Sequence, residues 1–201
     1  AVFEFEVNLP ATWNRRALQM GGGGLDGTLI TGLGPYRQQP AGAETPLKQG
    51  YVTLGSNGGH KGAPGFDATF GPDDEALVNY GKLSVKKTHD AAMAIMKKAY
   101  GRAPERFYFI GGSQGGHEAL DAAARYPQDY DGVVAGADVE RHRHAQRLHR
   151  RAWRLVVEPG AAADGGDERV VERAVGLLAG GPQGRERHAR GEHRAAIVRT
   201  T

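Results

Sequence analysis

A serine flanked by glycines lies near the middle of the chain and could act as the nucleophile in acyl transfer. The stretch Gly111–Gly115 reads Gly-Gly-Ser-Gln-Gly, the G-x-S-x-G pattern of a nucleophile elbow. The apolar run Arg106–Ile110 before it predicts a buried strand, and residues 117–125 after it favour a helix. A strained turn in that context presents the hydroxyl of Ser113 above the sheet. The alternative is a glycine-rich turn with an incidental serine.

Acyl transfer also requires hydrogen-bond donors for the oxyanion that forms on the attacked carbonyl. The backbone N–H of Gln114, directly after the serine, is the first predicted donor. The glycine run Gly21–Gly24 follows a predicted strand, Ala17–Met20. Gly22 and Gly23 are the predicted source of the second donor, because glycines let the backbone approach a tetrahedral intermediate.

The same glycine run matches a second pattern, since Gly22–Gly27 reads G-x-G-x-x-G and resembles a dinucleotide-binding turn. Such a turn requires a helix directly after the glycines and an acidic residue at the end of the next strand. Here Gly32 and Pro35 interrupt the following segment, and Glu44 lies in a predicted loop. The oxyanion interpretation is therefore favoured, and no cofactor is predicted.

The catalytic acid and base are expected after Ser113, since the chain order in an elbow hydrolase is Ser, then Asp or Glu, then His. Asp164 or Asp167 with His188 or His193 preserves this order. The alternative is that these four residues are solvated side chains of a poorly ordered tail.

The other histidines are predicted to have no catalytic part. His117 lies directly behind the serine on the predicted helix, too close and on the wrong element to serve as its base. His60 and His89 precede the serine and are predicted to be a loop and a helix residue. The pair His142 and His144 has no third ligand nearby, so no metal site is predicted.

Strands and helices alternate around these motifs. The other predicted strands are Val2–Leu9, Tyr51–Leu54 and Val133–Ala137. Thr88–Tyr100 carries apolar residues at helical spacing, and Gly101 is predicted to end that helix. The alternation predicts an α/β fold with a mostly parallel sheet and helices on both faces.

Composition changes sharply near residue 138. Residues 1–138 carry 13 basic and 15 acidic side chains, whereas residues 139–201 carry 13 and 8, so the net charge changes from −2 to +5. The second segment has no lysine and one aromatic residue, Trp153. We therefore predict a folded core over 1–138 and an irregular tail over 139–201 that is non-native or disordered. Without aromatic side chains to stack bases, nucleic-acid binding is not expected.

The remaining composition excludes several classes of protein. The 201 residues, of which 39% are hydrophobic, suit one domain of ordinary size. Cysteine is absent, so no disulfide or thiolate metal site can form. We also expect no membrane span and no secretory leader in this chain, because no apolar run is long enough. Compartment and oligomeric state cannot be derived from these features.

Several further motifs lie in register over Val2 to Asp138. They are Phe3–Pro10, Trp13-Asn14, Gln19–Gly24, Gly50–Val52, Asn57–His60, Tyr100–Arg102 with Pro104, the elbow, and Arg125–Ala137. Together they resemble the tannase and feruloyl esterase family. The resemblance implies a truncated α/β-hydrolase fold, Ser113 as nucleophile and a small-molecule substrate, an ester of a phenolic acid such as gallate or ferulate. It also implies secretion or a periplasmic location, as is usual in the family.

Two departures from the family pattern affect the predicted function. The family places a cysteine, bridged to one beside the catalytic histidine, where this chain has Gly112. The family also continues through a lid domain with a calcium site and then the acid and histidine, and none of this is recognisable after Asp138. We hypothesise that Val139–Thr201 is translated from a shifted reading frame, with a natural splice or a divergent short form as alternatives. The sequence thus predicts a serine ester hydrolase or, alternatively, a truncated and weak or inactive core that acts at most as a binding module.

Overall fold

The structure is a computed structural model that describes residues 1–36 and 39–136, together with the backbone of two strands at 154–157 and 194–200. These residues form a seven-stranded sheet with the order β6-β5-β4-β2-β3-β1-β7. The strands are β1 (Phe3–Leu9), β2 (Arg16–Met20), β3 (Val52–Ser56), β4 (Arg106–Gly112), β5 (Gly132–Gly136), β6 (Arg154–Val157) and β7 (Arg194–Thr200).

The central strands of the sheet pair in parallel, whereas the outer pairings are antiparallel. β2 pairs in parallel with both β3 and β4, and β4 pairs in parallel with β5. β1 pairs antiparallel with β3 and β7, and β6 pairs antiparallel with β5. Because the carboxyl ends of parallel strands meet at one edge, the turns after β2, β3 and β4 are brought together there.

Two of the described helices pack on one face of the sheet. α1 spans Asp74–Val78, α2 spans Ser84–Tyr100 and α3 spans Gln114–Arg125. Apolar residues of α2 and α3 join one core with alternate strand residues such as Phe5 and Phe109. The opposite face is covered by loop residues of the segment after β2. The apolar residues on that face are Leu18, Met20, Tyr51, Tyr108, Ile110 and Val134, with Ile30 and Tyr36 packed against them.

The helical segment before β4 is longer than its apolar spacing predicts. Asp73 is the N-cap of α1, and its side chain accepts a hydrogen bond from the N–H of Ala76 at 3.0 Å. A π-helical turn, Asn79–Leu83, then joins α1 to α2. At the far end Gly101 adopts φ 71° and closes α2 as predicted.

The sheet extends beyond the predicted core. Within residues 139–201, predicted to be an irregular tail, the described part consists of the strands β6 and β7. Across the described ranges, none of the helices has the length and apolar character needed to cross a bilayer.

The packing of α2 gives a first testable prediction. Met96 is fully buried in the core, whereas Met93, one turn earlier, is only partly buried. Met96→Ala is expected to lower the free energy of unfolding by about 2–5 kcal/mol, because the surrounding core cannot close the cavity. Met93→Ala, the same chemical change, should cost less than half as much. Urea titration followed by circular dichroism measures both, and equal losses would contradict the described packing.

Candidate functional site

Ser113 has the strained backbone that a nucleophile elbow requires. Its φ of 57° and ψ of −119° lie in a region that a residue other than glycine rarely adopts. Strain of this kind costs about 1–3 kcal/mol and persists only where the surroundings hold it in place. The N–H of Ser113 donates to the carbonyl of Gly136 at 2.8 Å, and the N–H of Gly116 donates to the carbonyl of Ser113 at 3.0 Å. The end of β5 and the start of α3 together fix the serine.

The glycines beside the serine allow two backbones to approach closely. A Cβ on Gly116 would lie 2.6 Å from the carbonyl oxygen of Gly136, at the end of the neighbouring strand. A Cβ on Gly115 would lie 2.8 Å from the carbonyl carbon of Gly21. Real Cβ atoms do not come this close to backbone atoms, so the spacing of glycines around Ser113 is required by packing.

The glycine turn after β2 lies directly against the start of α3. The N–H of Gly115 donates to the carbonyl of Gly22 at 3.0 Å, and the N–H of Gly21 donates to the carbonyl of Ile110 at 2.8 Å. The turn closes on itself where the N–H of Asp26 donates to the carbonyl of Gly23 at 3.0 Å. The structure therefore brings the predicted glycine segment beside Ser113, as a site at one edge of the sheet requires.

The three candidate oxyanion donors differ in their surroundings. The N–H of Gly22 donates to Oε2 of Glu118 at 3.1 Å and so already has an acceptor. A Cβ built on Gly23 would meet no atom within 4 Å, so this residue borders open space. Gln114 is the first residue of α3, and its N–H has no acceptor within the helix.

Two buried carboxyl groups lie behind the glycine turn. Glu118 and Asp26 are within hydrogen-bonding reach of each other. Burial raises the pKa of Glu118 well above its usual range, and the neighbouring Asp26 raises it further. Burial also raises the pKa of Asp26. Both carboxyls are therefore protonated more readily than free carboxylates, because two adjacent buried charges of the same sign are strongly disfavoured.

His60 is buried next to this pair and packs against two partly exposed aromatic rings. Its ring stacks on Phe70 with centroids 3.7 Å apart and meets the edge of Tyr80 at 5.7 Å. Burial lowers the pKa of His60. Neither ring nitrogen makes a well-formed hydrogen bond to any residue that the structure describes. His60 is thus a neutral packing residue in the loop after β3.

None of the histidines that the structure describes is hydrogen-bonded to the hydroxyl of Ser113. Nδ1 of His117 lies 3.2 Å from Oε1 of Gln114, and Nδ1 of His89 lies 3.0 Å from Oδ1 of Asp90. The candidates for the acid and base lie outside the described residues, namely Asp164, Asp167, His188 and His193.

One cluster has the side chains of a metal site but also contains a lysine. Ligand atoms of His89, Asp90 and Asp129 lie within 4.8 Å of one another. Nζ of Lys86 lies 2.6 Å from Asp90 and 3.1 Å from Asp129. This ammonium group supplies the positive charge that the two carboxylates need, so the cluster is accounted for as an ion-pair network.

The sequence analysis missed the two buried carboxyls, although one of them carried a signal. Glu118 lies on the buried stripe of α3 formed by Gly115, Glu118, Ala119 and Ala122, and the spacing of three, four and seven residues marks that stripe. Asp26 carried no such signal, because only the fold of the glycine turn, with φ of 53° at this residue, directs it inward.

Comparison with known proteins shows the family to which this chain is similar. The family model described as "Tannase and feruloyl esterase" matches residues 1–166. An uncharacterized esterase of Agrobacterium fabrum is 43% identical over 130 residues, which cover 65% of this chain and 24% of that protein. The mono(2-hydroxyethyl) terephthalate hydrolase of Piscinibacter sakaiensis is 36% identical over 141 residues, which cover 67% of this chain and 23% of that enzyme.

Solved structures of esterases share the fold. Feruloyl esterase B of Aspergillus oryzae matches with a TM-score of 0.54 and 26% identity, over 67% of this chain and 24% of that one. A second esterase of Aspergillus oryzae matches with a TM-score of 0.53 and 28% identity, over the same shares of the two chains. These likenesses confirm the α/β-hydrolase-like fold. The chain spans about a quarter of the length of these relatives. Since the family model matches well over half of it, the chain belongs to the tannase and feruloyl esterase family.

Proposed function

We propose that this chain carries the nucleophile and oxyanion site of a serine carboxylic ester hydrolase, within a hydrolase core at residues 1–138. The observation that supports this most directly is the strained backbone of Ser113, held beside the glycine turn after β2. A serine in that conformation costs stability, and such strain clusters at catalytic sites. A simple strand-to-helix turn would not need it.

The proposed reaction proceeds through an acyl-enzyme. Oγ of Ser113 attacks the ester carbonyl carbon, its proton passes to a base, and the carbonyl oxygen becomes an oxyanion. The N–H groups of Gln114 and Gly23 stabilise this oxyanion, with Gly22 holding the turn through its bond to Glu118. Collapse of the intermediate expels the alcohol, which takes the proton, and water then releases the acid. By chain order, His188 and His193 are the candidates for the base.

The proposed substrates are esters of aromatic acids, and in particular of phenolic acids such as ferulate or gallate. Two relatives carry names that state aromatic acyl groups, a feruloyl esterase and a terephthalate monoester hydrolase. The shared chemistry is an ester carbonyl attached to a planar aromatic acid or its vinyl extension. The proposed partner is accordingly a small molecule.

The nucleophile assignment is tested by removing one hydroxyl. Ser113→Ala is expected to reduce hydrolysis of 4-nitrophenyl ferulate and methyl gallate to the buffer rate, because no acyl-enzyme can form. Thr12→Ala is the matched control. It removes an exposed hydroxyl before β2, at the opposite edge of the sheet, and should leave the rate unchanged. Intact mass spectrometry of the quenched reaction should show an acyl adduct on Ser113 in the parent chain.

Equal hydrolysis by the parent chain and Ser113→Ala, without an adduct, would contradict this function. It would instead support the alternative of a non-catalytic hydrolase core.

The contact between the glycine turn and α3 gives a second prediction. Gly115→Ala places a Cβ 2.8 Å from Gly21 and 2.9 Å from the carbonyl oxygen of Gly22. The turn must then move away from Ser113. We expect a loss of about 1–3 kcal/mol in the free energy of unfolding and a fall in kcat of about 10².

Gly81→Ala is the control for this change. A Cβ at Gly81 would meet no atom within 4 Å, and the residue is exposed in the π-helical turn. The substitution should therefore be neutral or stabilise the chain by up to about 1 kcal/mol. Urea titration and steady-state kinetics measure both variants. A Gly115→Ala variant with unchanged stability and kcat would contradict the close contact.

A further inference from the structure

The buried carboxyl pair behind the glycine turn takes no part in the bond-making steps described above. Asp26 is 3% exposed and Glu118 is 8% exposed. Among the described residues, no lysine or arginine forms an ion pair with either carboxyl. A buried acidic group without a counter-ion is costly to ionise. A pair at this place therefore needs a structural or functional reason.

The pair occupies the space that glycines leave beside the turn. Oε2 of Glu118 accepts the N–H of Gly22 at 3.1 Å, and it would lie 2.6 Å from a Cβ on Gly21. The carboxyl of Asp26 would lie 2.9 Å from a Cβ on Gly22 and equally close to one on Gly58. The two carboxyl groups thus fill the space that side chains at these glycine positions would occupy. They link α3 to the turns after β2 and β3.

We propose that Glu118 is a positioning residue for the oxyanion site, in which its carboxyl shares a proton with Asp26, holds the N–H of Gly22 and thereby orients the neighbouring N–H of Gly23 toward Ser113. This inference rests on the proposed esterase function, since the N–H of Gly23 matters for catalysis only if an oxyanion forms. The stabilisation of the turn itself does not depend on catalysis.

Among the residues that the structure describes, no cationic group contributes to the shifted pKa values of the pair. Tyr80, on the π-helical turn, has its pKa raised to about 12, first by burial and then by Asp26 and Glu118. Burial raises the pKa of Tyr130, before β5, well above its usual range, and its hydroxyl donates to Oε1 of Gln19 at 2.9 Å. His60, which meets the edge of Tyr80, has a lowered pKa because it is buried. These groups are all neutral at neutral pH.

A dependence on pH follows from this arrangement. The pKa of Glu118 is raised above its ordinary value of 4.5 in the folded chain. The contribution of the shared proton to stability is therefore complete below pH 4.5 and is lost as the pH rises through the raised pKa. Above that range, repulsion between two carboxylates should loosen the glycine turn.

Amide hydrogen exchange tests the proposal without any need for catalysis. In the full chain, Glu118→Leu removes the acceptor, and exchange at Gly22 should accelerate by at least about tenfold. Glu118→Gln keeps a carbonyl oxygen for Gly22 and an N–H for Asp26, so exchange there should stay within about threefold of the parent chain. Glu44→Gln, a change at an exposed carboxylate, is the control. Unaltered exchange in Glu118→Leu would overturn the proposal.

The pH profile separates positioning from simple packing. Between pH 5 and 8 the urea midpoint of the parent chain should fall more than that of Glu118→Gln, because the amide cannot ionise. Glu44→Gln should follow the parent chain. Parallel profiles for the parent chain and Glu118→Gln would overturn the shared proton. This test does not require that Glu118→Leu folds.

Kinetics connect the proposal to the oxyanion. Glu118→Leu should lower kcat by about 10² with KM within about threefold, since the lost interaction is made in the transition state. A change confined to KM would overturn the positioning role. Failure of the esterase function is recognised separately, because Ser113→Ala would then leave hydrolysis unchanged while Gly22 exchange still reports on Glu118.

Discussion

The site depends on the close approach of two backbones, the glycine turn after β2 and the first turn of α3. Two observations describe the same contact. The N–H of Gly115 donates to the carbonyl of Gly22, and a Cβ on Gly115 would lie 2.8 Å from Gly21. No side chain can be accommodated there. This constraint explains why both segments are rich in glycine although they are about 90 residues apart in the chain. Parallel pairing of β2 with β4 then places the two segments at one edge of the sheet.

The strain at Ser113 is maintained by the same contact. A non-glycine residue at φ 57° would relax if its neighbours were free to move. The N–H of Ser113 donates to the carbonyl of Gly136 at the end of β5, and α3 begins with the residue after Ser113. Since α3 is in turn fastened to the glycine turn, the serine cannot relax without breaking the sheet edge. Rigid packing thus holds Ser113 in the conformation that the proposed acyl transfer requires.

Much of this arrangement could be predicted from local patterns. The elbow, the strands β1 to β5 and the end of α2 at Gly101 follow from apolar alternation and glycine positions, within about two residues for each strand. α1 was not predicted, although Asp73 as N-cap followed by Asp74 and Glu75 is a recognisable helix start. The antiparallel pairing of β1 could not be predicted, because pairing depends on contacts far apart in the sequence. The coverage of one sheet face by Ile30 and Tyr36 of a glycine-rich loop could not be predicted either, because that loop has no periodicity.

The buried pair Asp26 and Glu118 shows why candidate sites are found only in part from sequence. A pattern search selects residues that could react, such as Ser113, and passes over buried residues that contact the turn beside them. Glu118 lies on the buried stripe of its helix, where an apolar residue would pack at lower cost. Its carboxyl accepts the N–H of Gly22, and among the described residues no backbone carbonyl accepts that N–H. The demand for that acceptor arises from the glycine turn, whose glycines allow its close contact with Gly115.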